Sequence, residues 1–193
     1  METGSEGKIS SVRKHSAAED AGIIAGESLC AINGMPLRDI LDVSFAAADY
    51  EPVLSIRGTD GALREVTVSK EIDEELGLSF ESAVFDKVRL CHNHCVFCFV
   101  DRMIPGLRKG LYVRDDDYRL SFLYGNFVTL TNLTEEDFDR IIRNHMSPLY
   151  VSVHATDPKV RQAMMKNSHS GEIMHKLQRL FDVGIHIHAQ IVC

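Results

Sequence analysis

Between residues 8 and 70, apolar and polar positions alternate with a period close to two, the pattern of half-buried strands. Lys8–Val12 reads as a short strand, and Gly26–Pro36 as a strand running into an Asn33-Gly34 turn. Val53–Arg57 and Arg64–Ser69 flank Thr59-Asp-Gly-Ala62 and read as a hairpin. Two stretches break the alternation. Ser16 to Gly22 has a capping serine and a terminating glycine, which makes a helical turn. Asp39 to Tyr50 places Ile40, Val43 and Ala47 at helical spacing.

The charged run Lys70–Glu75 reads as a joint, giving an N-terminal domain over 1–74 and a second over 75–193. Beyond it, strand-like and helix-like segments alternate, as expected of a parallel sheet with crossover helices. The strands are expected at Phe85–Leu90, Phe127–Thr131, Leu149–His154 and Ile185–Val192. Helices are expected from a Thr134 cap to His145, after an Asp157 cap, and from Gly171 to Val183. In the third strand Leu149, Val151 and Val153 oppose Tyr150, Ser152 and His154; in the fourth, Ile185, Ile187 and Ile191 oppose His186, His188 and Gln190. One face suits helix packing, and the polar face suits either a barrel lumen or the wet side of an open sheet. The stretch from Cys91 to about Gly125 is a long loop, and long ordered loops are commonly functional.

Three of the five cysteines stand in that loop as Cys91-His-Asn-His-Cys95-Val-Phe-Cys98, while Cys30 and Cys193 are remote. Clustered thiols point to a metal or redox centre. Three are one short of a closed zinc site or a fully protein-ligated iron–sulfur cluster, so a position is left for another ligand. Two other readings stand beside this: a buried helical face, because the spacing is i, i+4, i+7, and a zinc site completed by His92 or His94. His186 and His188 lie on the same side of the fourth strand, where hydrogen bonding is the ordinary use of such histidines.

Length and charge narrow the choice. With 193 residues, 45% of them hydrophobic, the chain can bury one sizeable core or two modest ones. A net charge of −7 argues against nonspecific binding to nucleic acid or anionic membranes, although Arg102, Arg108, Lys109 and Arg114 form a local basic patch. No apolar run is long enough to span a membrane, the first residues are not a signal peptide, and free clustered cysteines suit a reducing, cytoplasmic setting. There is no Gly-Lys-Ser phosphate loop, no His-Glu-x-x-His and no Gly-x-Ser-x-Gly, so hydrolase readings have no support.

The Cys-x3-Cys-x2-Cys run, with Phe97 before its last cysteine, resembles the cluster loop of the radical S-adenosylmethionine (SAM) enzymes. The longer run Cys-x-Phe-Cys-Phe-Val-Asp, with Pro105-Gly-Leu-Arg108 and Ser121-Phe-Leu-Tyr-Gly-Asn126, resembles bacterial proteins that join a PDZ-like domain, a radical SAM core and a C-terminal DUF512 domain. The resemblance implies that Cys91, Cys95 and Cys98 hold three irons of a [4Fe-4S] cluster, with SAM on the fourth. Reductive cleavage of SAM would then start radical chemistry on a substrate that the sequence does not name. It also implies that Phe97 lies near the adenine. Asn132 stands where the family commonly has a Gly-Gly-Glu-like run, which this chain lacks. His154 and Gln190, near the ends of their strands, are candidate SAM or substrate contacts. No acid, base or nucleophile is singled out.

Ser16-Ala-Ala-Glu-Asp-Ala-Gly22 and Ala31-Ile-Asn-Gly34 resemble bacterial PDZ domains, and Glu75-Leu-Gly-Leu78 resembles their carboxylate-binding loop in a permuted order. The expected partner is a peptide C-terminus or a segment of the same chain, added to a sheet edge. The expected fold is therefore α/β: a small β-rich PDZ-like domain, then a truncated partial barrel of the TIM type. Such a chain needs an electron donor for its cluster and is the N-terminal part of a longer protein, with little turnover by itself. The alternative is a non-catalytic PDZ-like peptide-binding protein with a structural zinc site.

Overall fold

Hydrogen-bonded ladders organise the first part of the chain, as the alternation implies. The computed structural model describes residues 5–72 and 74–192, so Cys193 and Asp73 lie outside the described residues. Two compact units result, Met1–Lys87 and Val88–Cys193; the division falls after the expected joint at residue 74.

In the first unit, β1 (Gly7–Val12) leads to α1 (Ala17–Asp20), whose cap Ser16 accepts the Glu19 amide at 3.4 Å. β2 (Ser28–Ile32) turns through Asn33 and Gly34, both at positive φ, into β3 (Met35–Pro36). That is the conformation an Asn-Gly hairpin turn requires. α2 (Ile40–Ala46) follows, capped by buried Asp39, which accepts the amides of Leu41 and Asp42. It stops short of the expected Tyr50, where the Asp49 side chain takes the Tyr50 amide and competes with helical bonding. β4 (Val53–Arg57) and β5 (Leu63–Thr67) form the hairpin, and β6 (Leu78–Phe80) is a strand that the pattern did not announce. The antiparallel sheet runs β5-β4-β2-β1-β6, with β3 on β2. Ile9, Ile23, Leu29, Ile32, Leu54, Ile56 and Val68 fill its core. Gly77, at φ +82°, packs so tightly that a Cβ would come within 2.3 Å of the Ser16 Cβ. Only glycine fits there.

The second unit is mixed α/β. α3 (Tyr118–Tyr124) and α4 (Glu135–Arg143) precede β7 (Leu149–Ser152). α5 (Pro158–Met165) and α6 (Ile173–Asp182) then lead to β8 (Ile187–Gln190). β7 and β8 pair in parallel, and Val128 bridges to Val151 on the other side of β7. Thr134 and Asp137 form the expected capping box, and Asp157 caps α5. Leu149, Val151, Val153 and Ile185 are buried as expected, but Ile191 is exposed.

Three expectations need correction. Phe85–Leu90 is not a strand of this sheet. Leu90 makes one antiparallel bridge to Asp115, flanked by the Cys91–Arg114 and Asp116–Arg89 backbone bonds, and the Asp117 carboxylate takes the Arg89 amide, so the pairing goes no further. Phe127–Thr131 contributes a bridge at Val128 rather than a full strand. The long loop contains α3, bracketed by its Asp117 cap and by Gly125 at φ +76°. The structure shows parallel pairing in this unit but not a barrel. Among the described residues, no helix is long and apolar enough to cross a membrane.

Candidate cofactor site

The cysteine loop has almost no regular structure, so its position depends on bonds to its neighbours. The Cys91 amide donates to the Arg114 carbonyl at 2.7 Å; the His94 and Val96 amides donate to the carbonyls of Met165 and Met164 at the end of α5. The Cys98 amide closes a turn onto the Cys95 carbonyl at 3.1 Å. Asn93 is fully buried between exposed His92 and His94 and anchors the loop from within. These contacts turn Cys91, Cys95 and Cys98, all half-buried, toward one cavity of about 580 Å³. Phe97, Phe99, Val113 and Phe127 make much of its wall apolar, and Arg114, Asp115, Asn126, Thr129, Ser152, His154 and Gln190 supply polar groups.

The three sulfurs sense one another electrostatically. Burial pushes the Cys95 thiol up to about 11, and negative charge at Cys91 and Cys98 adds to the effect. Among the described residues, no three His, Cys, Asp or Glu side chains gather closely enough to hold a single metal ion. That holds for the three cysteines alone and for the same cysteines with His92 or His94. The i, i+4, i+7 helical face is not formed either, because residues 91–98 are not helical.

Of the other candidates, Phe97 and His154 meet at the cavity wall with ring centroids 4.5 Å apart. Burial, reinforced by the Arg161 charge, pushes the His154 imidazole below its ordinary value, so it is neutral near pH 7. Its Nδ1 accepts the Val192 amide at 3.3 Å. Gln190 also lines the cavity. Asn132 does not: its amide nitrogen donates to the Asp116 carbonyl at 3.0 Å, and its Oδ1 is buried without a partner. His188 stacks on Tyr150 with ring centroids 4.6 Å apart.

Sequence reasoning missed the polar layer near the cavity. Arg161 is 1% exposed; its guanidinium donates to the carbonyls of Val153 (2.8 Å), Ser152 (2.8 Å), Thr129 (3.1 Å) and Ser170. Burial pushes it down to about 10. Asp116 accepts the Thr129 amide and hydroxyl, each at 2.6 Å, while burial pushes its carboxyl up. The Asp115-Asp-Asp117 run carries a signal for this layer, since three adjacent acids before an apolar helix need partners.

Comparison with known proteins also finds two families in this order along the chain. A model of the PDZ domain family matches residues 8–54, and a model described as a radical SAM-like domain matches residues 70–193. No curated protein matches the chain. With well over half of its length covered by that second match, the chain belongs to the radical SAM-like domain family, with a PDZ domain at its N-terminal side.

Proposed function

We propose that the second unit is a radical SAM enzyme core in which Cys91, Cys95 and Cys98 hold a [4Fe-4S] cluster, leaving one iron for SAM. The observation that carries this reading is the convergence of the three thiols, Phe97, His154 and Gln190 on one cavity in a chain of this family. The donor set fits the group. Three soft sulfurs lining one roomy, largely apolar cavity suit a polynuclear cluster that leaves one position open for another ligand. Cys91, Cys95 and Cys98 would hold the cluster, and its chemistry there would be one-electron reduction of SAM, with the electron coming from a donor partner.

The chain's own residues bind and orient. The adjoining rings of Phe97 and His154 offer aromatic surface for adenine, and neutral His154 acts as a hydrogen-bonding group without adding charge. Gln190 faces the cavity where ribose hydroxyls need a carboxamide partner, and Asp115, held by Asn126 at 2.8 Å, presents a carboxylate to a cationic amino group. Asn132 serves this site indirectly, through Asp116. In this reading the parallel pair β7–β8 with the Val128 bridge corresponds to part of a partial barrel, and its strand ends carry the site. A cytoplasmic setting and an electron-donor partner complete the reading.

Anaerobic reconstitution with iron and sulfide, followed by electron paramagnetic resonance (EPR) of the reduced protein, tests it. The expected result is a reduced-cluster signal that changes on adding SAM and that is absent when any one of the three cysteines is replaced by Ala. Bound zinc with no acid-labile sulfide would overturn the reading in favour of a binding module.

For the first unit, peptide capture at β6 is the matching proposal. Among the described residues this edge strand pairs with β1 alone, and it directly follows Glu75-Leu76-Gly77. Peptides with free C-terminal carboxylates should bind, and their amidated forms should not.

A further inference from the structure

Among residues 91–98, Asn93 is the one fully buried side chain. A buried carboxamide is costly unless its two N–H groups and its carbonyl oxygen are all used. Here they are used asymmetrically. The Oδ1 accepts from Asn167 Nδ2 at 2.6 Å and lies 3.3 Å from the Thr131 hydroxyl. The Nδ2 lies 3.0 Å from Thr129 Oγ1, 3.0 Å from Thr131 Oγ1 and 3.3 Å from Cys91 Sγ.

The neighbours fix which edge of the amide faces the sulfur. Thr129 donates its only hydroxyl proton to Asp116 Oδ2 at 2.6 Å, so it presents lone pairs to Asn93 and needs an N–H from it. On the other side, Asn167 has a reason to offer its nitrogen, because its own oxygen is occupied by the His169 amide at 2.9 Å. Asp116 at one end and Asn167 at the other therefore hold the nitrogen edge toward Cys91. The Arg114 guanidinium bonds the Asn93 backbone carbonyl and pins the residue a third way.

We infer that Asn93 is a positioning residue that donates its side-chain N–H to the Cys91 sulfur and thereby raises the reduction potential of the centre held there. The inference rests on the cluster reading above. Hydrogen bonds to ligating sulfurs are one of the main determinants of cluster potential, because they stabilise the added negative charge of the reduced state.

The test is a potentiometric titration of the reconstituted full chain, followed by EPR, for the wild type, Asn93→Ala and Asn167→Ala. For Asn93→Ala the ratio of reduced to oxidised cluster at a fixed potential should fall about tenfold, which is about 59 mV for one electron. Asn167→Ala frees Asn93 Oδ1 without touching Cys91 and should shift the potential the same way by less. It carries the test if Asn93→Ala fails to assemble a cluster. In deuterium oxide, the wild-type reduced cluster should also show a coupled exchangeable deuteron that Asn93→Ala lacks. Melting temperatures that fall while the potentials stay unchanged would reduce Asn93 to a packing residue and overturn the inference. Failure of the wild type itself to form a cluster would overturn the parent reading instead, and the two failures are distinguishable.

Discussion

In the first unit the largest fully enclosed side chains are hydrocarbon, with Ile9, Leu29, Ile32, Leu54 and Ile56 each at most 1% exposed. In the second, Arg119, Arg140 and Arg161 are as thoroughly enclosed as Phe138 and Leu149. Apolar burial is non-directional, so that kind of interior tolerates exchange of one hydrocarbon shape for another of similar volume. A polar interior has directional wiring, and each donor left without its acceptor carries its full desolvation cost. The wired interior is the one beside the candidate site. The fold thus places its rigid, uniquely specified packing where a cofactor needs fixed geometry.

The comparison can be broken most forcefully at Arg161. Arg161→Met strands the carbonyls of Thr129, Ser152, Val153 and Ser170, and should cost roughly 3–5 kcal/mol. Urea unfolding read through tyrosine reports it, since Tyr112, Tyr118, Tyr124 and Tyr150 all lie in the second unit. A loss under about 1 kcal/mol would mean that water replaces the guanidinium without penalty. In the hydrocarbon interior, Leu29→Ala should cost about 3 kcal/mol and Leu29→Met under about 1.5 kcal/mol. Limited proteolysis should then cut residues 5–80 sooner and leave cluster assembly unchanged. Equal penalties for the two substitutions would remove the claimed tolerance.

Acid should separate charged groups within the second unit. Burial acts most strongly on Asp137 and raises it, but hydrogen bonds from Arg89 and Thr134 together outweigh this and hold it below the usual range. Its contribution is therefore complete above about pH 3.9, the ordinary unfolded value, and disappears as pH falls through the lower folded value. Asp116, raised by burial, has the opposite sign: its contribution is complete below that value and is lost as pH climbs through the folded one. Asp137→Asn should flatten the acid limb of stability against pH, and Asp116→Asn should steepen it. Matching slopes for both variants would refute the assignment. The smallest effect is expected from Thr134→Ala, about 1 kcal/mol for the lost cap on α4, measured by the same urea transition.

How legible these regions were follows from the same contrast. Strands β1, β2, β4 and β5, the Asn33-Gly34 turn and the Thr134 and Asp157 caps are local patterns, set by residues a few positions apart. The cysteine spacing was legible for that reason too. Arg161 was not, because its acceptors are backbone carbonyls from segments up to 32 residues away, and no composition marks them. Phe85–Leu90 alternates like a strand, yet only its end meets a partner, through one bridge to Asp115 and the Asp117 carboxylate on the Arg89 amide. The short helix α3 was passed over because its flanks read as one long loop, although Asp117 and Gly125 mark both ends.

The Arg161 guanidinium also has a consequence in time. One planar group ties the end of β7, the segment at Thr129 and the turn at Ser170 to α5. None of these segments can open alone without uncovering a buried cation, so small independent fluctuations are suppressed in favour of rarer, larger ones. The floor of the cavity should therefore breathe as a single body, with amide protons at 129, 152, 153 and 170 exchanging at a common rate.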